Sequence, residues 1–159
     1  KNNCNVMSWP LTRGFSEAEL YKKQLDEAIQ QNGDTFTPIF AMMRHTALYE
    51  NEKGRDQAIR AIQTCLGQFE NLFRNLGDVS DGFPKQIPLD ELQGRKEYDA
   101  NMLEENLMFG SPETVIEKLK RYEKLGVDEY IYYASMGLDM EAQKKSMELF
   151  CSEVVPEFK

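Results

Sequence analysis

The sequence is poor in the residues that build metal sites and disulfide frameworks. It has one histidine and three cysteines in 159 residues. Cys4, Cys65 and Cys151 are far apart and form no C-x-x-C pair. We therefore expect neither a bound metal nor a disulfide framework, and the free thiols favour a reducing, cytoplasmic compartment.

Long apolar runs and an excess of positive charge are also missing. No run approaches the roughly 20 apolar residues that cross a bilayer. Acidic residues outnumber basic ones by 27 to 19, which gives a formal net charge of −8. A chain this acidic is a poor candidate for binding nucleic acid or an anionic membrane. Its 41% apolar and 29% charged content predicts an ordinary globular domain.

The hydrophobic pattern predicts strands and helices that alternate along the chain. We expect strands over about 3–10, 38–49 and 129–134, with a very short strand around residue 109. Helices are expected over about 16–33, 53–76, 95–107, 111–126 and 140–155. Alternation of this kind indicates an α/β fold with parallel strands.

Several helix ends carry recognisable signals. Ser16 and Glu19 have the spacing of a capping box. Ser111 and Pro112 suit a helix start, and Gly126 suits its end. The last helix is expected to stop before Pro156. Four of its side chains are expected to be buried, namely Met147, Phe150, Cys151 and Val154.

Three convincing strands are too few for a closed barrel, which needs about 250 residues. The chain begins at Lys1, without a methionine or a signal-peptide pattern. We therefore expect it to be the last part of a larger fold. The stretch 77–94, which contains Pro84 and Pro88, predicts a long irregular connection of the kind that forms lids or binding loops.

Three short motifs occur in a characteristic order in the second half of the chain. They comprise Gly110, Ser111, Pro112, Glu113 and Val115, then Gly126, Val127 and Asp128, and finally Phe150, Val154, Val155 and Pro156. In order and spacing this segment resembles the carboxyl-terminal end of the luciferase-like flavin-dependent monooxygenases. The resemblance extends more loosely over the rest of the chain.

The resemblance implies a fold and an activity. The fold would be the C-terminal part of a TIM-type (β/α)8 barrel, with about three β/α units over 1–159 and a lid-like insertion over 77–107. The parent enzyme would oxidise a small organic substrate with O2 and reduced FMN, or use a deazaflavin as other branches do. A separate flavin reductase would supply the reduced flavin. The chain alone is expected to be inactive.

A half-barrel exposes two sheet edges and an apolar interior, so we expect a homo- or heterodimer. The alternative function is a non-catalytic half-barrel, or a degenerate homologue, that acts through association. That alternative rests on two features of the sequence. It has too few strands for a closed barrel, and it identifies no set of catalytic residues.

The resemblance places Ser8 and Trp9 beside the flavin, and the alternative is that Trp9 fills the core. The residue types at Arg44 and His45 suggest a substrate or anion pocket. Histidine titrates near neutral pH and could act as a general base. A structural role is the alternative for both residues, with His45 hydrogen-bonded inside the strand and Arg44 paired with a carboxylate of the protein.

Overall fold

The computed structural model describes residues 3–33, 35–74, 79–85, 87–134 and 137–158. The strands are β1 Val6–Ser8, β2 Phe40–Leu48, β3 Val79–Ser80, β4 Phe83–Pro84, β5 Met108–Gly110 and β6 Glu129–Ala134. The helices are α1 Phe15–Gln31, α2 Glu52–Arg74, α3 Leu89–Gln93, α4 Ala100–Asn106, α5 Pro112–Leu125 and α6 Met140–Leu149. No described helix is long and apolar enough to cross a membrane.

Strand β2 is the centre of a parallel sheet. It pairs with β1 at one end and with β6 over most of its length, and Ala41 and Met42 pair with both strands. Strands β1 and β6 therefore lie at opposite edges of β2. Thr46 pairs with both β5 and β6, which places β5 on the same edge as β1. The predicted α/β fold with parallel strands is confirmed.

The side chains of β2 alternate between two cores. Phe40, Met42 and Leu48 pack with residues of α1 and α5. Ala47, on the other face, packs with residues of α2 and α4, including Ile62. A strand covered in this way is apolar on both faces, which explains the continuous hydrophobic run in the sequence.

Helix α5 begins and ends as the sequence predicts. The Ser111 hydroxyl accepts a hydrogen bond from the Thr114 N–H at 3.4 Å, and Pro112 is the first helical residue. Gly126 ends the helix with a left-handed φ of 88°. The capping box expected at Ser16 is wrong, because α1 begins one residue earlier and Ser16 lies inside it.

The expected end of the last helix is also wrong. After α6 the chain continues through a π-helical turn, Phe150–Val154, and a 3-10 turn, Val155–Phe158. Pro156 lies near the start of the 3-10 turn, where a missing N–H costs little. Of the four side chains expected to be buried, Val154 is buried and Phe150 half-buried, whereas Met147 and Cys151 are exposed.

The segment 77–107 has more regular structure than the sequence suggests. Strands β3 and β4 form an antiparallel hairpin, and its turn residues Asp81 and Gly82 have φ values of 53° and 83°. Two positive φ values are typical of a type I′ turn. Helices α3 and α4 follow. The expected boundary between the helix 53–76 and this segment lies outside the described residues, and so does residue 86.

We predict that Gly67→Ala destabilises the protein by about 1–3 kcal/mol, a typical cost of overpacking. Gly67 lies inside α2, and a Cβ there would be 2.3 Å from a methyl carbon of Leu92, which is fully buried. Alanine is the better helix former by about 1 kcal/mol, so the clash must outweigh a favourable change.

Gly94→Ala is the matched control. A Cβ at Gly94 would meet atoms no closer than 3.5 Å. Chemical denaturation of both variants measures the difference. If Gly67→Ala were as stable as Gly94→Ala, the close packing of α2 on α3 would be contradicted.

Candidate functional site

Four aromatic side chains meet where β1, β2 and β6 present their carboxyl ends, and we call them the aromatic cluster: Trp9, His45, Phe69 and Tyr133. His45 and Tyr133 are register partners, with ring centroids 4.7 Å apart. The Trp9 ring lies 5.6 Å from His45 and 5.4 Å from Tyr133. Phe69 reaches Trp9 from α2, at 6.4 Å. Parallel α/β folds bind ligands at this end of their strands.

His45 is buried and uncharged in this cluster. It is 1% exposed, and neither ring nitrogen has a hydrogen-bond partner among the described residues. Burial, helped by the positive charge of Arg44, lowers its pKa to about 4. A histidine with this pKa stays neutral at physiological pH.

Trp9 and Ser8 are adjacent, but they do not share a face of the sheet. The indole Nε1 of Trp9 is buried without a partner among the described residues, although the side chain as a whole is half-buried. Ser8 pairs with Met42, which belongs to the core on the opposite face. The structure therefore brings Trp9 together with His45 and leaves Ser8 apart from them.

Arg44 faces away from His45, because successive residues of a strand point to opposite faces. It is fully buried, and its Nη2 donates to the carbonyl oxygens of Arg13 at 2.6 Å and Asn106 at 2.5 Å. It forms no ion pair with any described carboxylate. Backbone carbonyls thus replace the expected carboxylate, and Arg44 and His45 do not line one pocket.

A second cation, the half-buried Lys118, lies beside Arg44 and was not predicted from the sequence. Its Nζ donates to the carbonyl oxygens of Glu104 at 2.5 Å, Leu107 at 2.8 Å and Phe109 at 2.9 Å. Burial lowers its pKa to about 8. Two of these acceptors lie at the carboxyl end of α4, where unpaired carbonyls attract cations. In the sequence of α5, Lys118 has no feature that distinguishes it from a surface lysine. Its role was therefore not predicted.

A hydrogen-bonded polar group joins the segment 77–107 to the end of β2. The Glu104 carboxylate accepts a hydrogen bond from the Tyr49 hydroxyl and another from Arg55 Nε at 2.9 Å. Burial acts to raise the pKa of Glu104, but these two donors outweigh it, so the pKa is lowered. Glu104 therefore stays ionised and connects α4 to both β2 and α2.

A cavity of about 640 Å³ opens beyond the end of β2, between the start of α2 and the length of α6. Its charged lining residues are of both signs, namely Glu50, Lys53, Asp139, Glu141, Lys144, Lys145 and Glu148. Lys145 pairs with Glu50, and Gln57 donates to Asp139 at 2.6 Å. Within the described part of the chain, no group of three or more metal-ligating side chains exists.

Comparison with known proteins identifies similar monooxygenases. The chain is 28% identical, over 158 residues and 99% of its length, to the oxygenase component of a flavin-dependent trigonelline monooxygenase from Acinetobacter baylyi. It is a homologue of part of a flavin-dependent monooxygenase. The fold matches the crystal structure of the monooxygenase RslO1 from Streptomyces bottropensis, with a TM-score of 0.59 and 16% identity over 98% of the chain.

The chain spans 44% of the length of the first of these proteins and 42% of the second. No protein-family model matches the chain.

We predict that Arg44→Lys lowers the free energy of unfolding by about 1–3 kcal/mol, because a buried carbonyl left without its donor costs that much. Lysine cannot reproduce the guanidinium contacts with Arg13 and Asn106. Arg60→Lys, on the exposed face of α2, should stay within about 0.5 kcal/mol of the parent. Thermal unfolding followed by circular dichroism compares them; equal melting temperatures would refute the structural role.

The depressed pKa of His45 predicts a loss of stability in acid. The unfolded chain takes up a proton near pH 6.5, and the folded chain does so only near pH 4. Stability from this group is complete above about pH 6.5 and falls as the pH drops towards 4. Between pH 7.5 and 5.0 the loss is about 2 kcal/mol.

Urea denaturation at these two pH values, with His45→Asn as the control, isolates this contribution. Carboxylates titrate in the same range, so only the difference between the two proteins is informative. The His45→Asn variant should lose about 2 kcal/mol less than the parent. An identical loss in both proteins would show that His45 is not held neutral.

Proposed function

We propose that the chain is a part of the oxygenase component of a two-component flavin-dependent monooxygenase of the luciferase-like kind. The parent enzyme oxidises a small organic substrate with O2 and reduced flavin. The observation that carries this proposal is the similarity to such a component over 99% of the chain. The aromatic cluster at the carboxyl ends of the strands supports it.

The arrangement of the sheet supports the proposal that the chain forms part of a TIM-type barrel. Strands β1, β2 and β6 are parallel and lie side by side in chain order. Helices α1 and α5 pack on one face, as the outer helices of a barrel do. The outer edges of β1 and β6 pair with no described strand. In the parent barrel the remaining strands would cover these edges, and 77–107 would form an insertion that closes over the site.

The aromatic cluster has the chemistry to hold a flavin ring. Trp9 offers a buried indole N–H, and His45 offers one donor and one acceptor. The Trp9 and Tyr133 rings give planar apolar surface for stacking. A bound flavin supplies the oxygen chemistry, while the residues of this chain bind it, orient it and exclude water. Reduced FMN is the first cofactor to test, and a deazaflavin is the alternative.

The substrate and partners follow from the same comparison. The relative is named for trigonelline, so a small N-heteroaromatic acid is the first substrate class to test. Its description as an oxygenase component implies a separate reductase that delivers reduced flavin. A homo- or heterodimer in the cytoplasm completes the proposal.

The test uses the full-length parent protein with a flavin reductase, NADH, FMN and trigonelline. We expect a product that carries one oxygen atom from O2, detected by mass spectrometry after reaction under labelled oxygen. Trp9→Phe should weaken the binding of reduced FMN about tenfold in anaerobic dialysis, which corresponds to about 1.4 kcal/mol of lost ring contact.

Phe158→Leu is the matched control, because Phe158 lies on the other core, away from the cluster. It should bind reduced FMN like the parent. A parent protein that neither binds reduced flavin nor consumes O2 with it would overturn the proposal and favour the non-catalytic half-barrel.

A further inference from the structure

A cavity of about 320 Å³ lies between the second half of α5, the amino end of β6 and the turns that follow α6. This volume is at the lower end of the range for small-molecule sites, about 300–1,000 Å³. Tyr130, which lines the cavity, pairs with Met42 and so lies on the opposite face of the sheet from the aromatic cluster. The cavity is therefore separate from the site of the proposed function.

Aromatic side chains form much of the lining of this cavity. They are Tyr122, Tyr130, Phe150 and Phe158. Ring contacts hold Phe150 in place, with its centroid 5.9 Å from that of Tyr130 and 5.0 Å from that of Tyr132. Tyr122 is almost fully buried and meets the Phe15 ring edge to face, with the centroids 5.1 Å apart. Since the faces of aromatic rings carry partial negative charge, a preformed group of rings attracts cations.

The charged residues of the lining are both acidic. They are Glu123 and Asp128, and neither forms an ion pair with a described cation. No lysine, arginine or histidine lines the cavity in the described part of the chain. Lys120, on the same helix as Glu123, pairs with Glu157 at 3.5 Å. The carboxyl end of α5, which carries the negative end of the helix dipole, adds to the attraction for cations.

These features favour one class of ligand. An anion would be repelled by the two carboxylates, and a neutral molecule would leave them without a counter-charge. A primary ammonium ion has three donors to satisfy, but the inner lining, which includes the buried Leu119 and Val154, is apolar. A quaternary ammonium ion needs no acceptor, and it is attracted by aromatic faces and by carboxylates.

We propose that this cavity binds a small quaternary ammonium ion. The alkyl groups of the ion contact the rings of Tyr130, Phe150 and Phe158. Its charge is balanced by the carboxylates of Glu123 and Asp128. The site goes beyond the proposed function and is independent of it, because it lies on the other face of the sheet and at the other end of β6.

The test is a nuclear magnetic resonance titration of the full-length protein labelled with ring-13C phenylalanine. The ring signals of Phe158 are assigned by their absence in Phe158→Leu. The probes are choline and two analogues that each lack one of its features. The analogue 3,3-dimethyl-1-butanol has the same shape without the charge, and ethanolamine has the charge without the methyl groups.

We expect choline to shift the Phe158 signals in a saturable way, and both analogues to bind at least about tenfold more weakly. No shift with choline overturns the inference, and so does a cavity that other parts of the full-length protein fill, because the signals would then not move.

The analogues give two further outcomes against the inference. Equal affinity for 3,3-dimethyl-1-butanol would show an apolar groove that does not recognise charge. Equal affinity for ethanolamine would show attraction to surface carboxylates without a contribution from the rings. Binding of reduced flavin, measured separately by dialysis, tests the proposed function and has no bearing on this site.

Variants give a second measurement, followed by the linewidth of the choline methyl signal. Phe158→Leu removes one ring and should weaken choline binding about fivefold. Glu123→Gln removes one exposed charge without disturbing the core and should weaken binding about fourfold. Glu117→Gln is the matched control, because Glu117 is exposed on the same helix and does not line the cavity.

The control should bind choline with the affinity of the parent. Circular dichroism checks that each variant is folded, and Glu123→Gln keeps the test decisive if Phe158→Leu is not. Equal affinity of Glu123→Gln and Glu117→Gln would refute the role of the lining carboxylates and with it the proposed site.

Discussion

The burial of β2 on both faces and both edges is the constraint on which the rest of the structure depends. Three other strands hydrogen-bond to it, and both cores include its side chains. Because a strand alternates faces at every residue, Arg44 and His45 must enter different environments. A guanidinium in one core requires acceptors there, and an imidazole in the other loses its charge. The chemistry of the aromatic cluster is thus a consequence of strand geometry and of burial.

The carboxyl end of α4 supplies one of the two acceptors of Arg44 Nη2, while Nε and Nη1 of the same guanidinium are buried without a partner among the described residues. A helix end leaves carbonyl oxygens unpaired, and a buried cation needs acceptors. Asn106 accepts from Arg44, and Glu104 and Leu107 accept from Lys118. Replacing carboxylates with carbonyls avoids a buried ion pair, whose desolvation often exceeds its attraction. The same contacts attach the insertion to the sheet, so the position of 77–107 and the burial of β2 are energetically linked.

Local patterns predicted the elements well, and tertiary contacts explain what the sequence missed. The Ser-Pro start and glycine end of α5 are short-range signals, and the apolar run of β2 is unambiguous. At the capping box expected at Ser16 the N-cap is Gly14 instead, which packs against Asn106, where a Cβ would be 2.6 Å from its side-chain oxygen. Such a contact between residues distant in sequence leaves no local signal. The roles of Arg44 and Lys118 depend on carbonyls distant in sequence, which no local pattern reveals.

The two faces of the sheet divide the chemistry of the site. The aromatic cluster itself has no charged member, and the buried charges nearest to it in sequence, such as Arg44, contact carbonyl oxygens on the opposite face of the sheet. A flavin carries a phosphate as well as a ring, and a phosphate requires cations or helix amino termini. The cluster offers neither among its members. If the aromatic cluster binds the ring, the phosphate and any proton-transfer groups must be bound outside the cluster, which itself supplies shape, stacking and neutral hydrogen bonds.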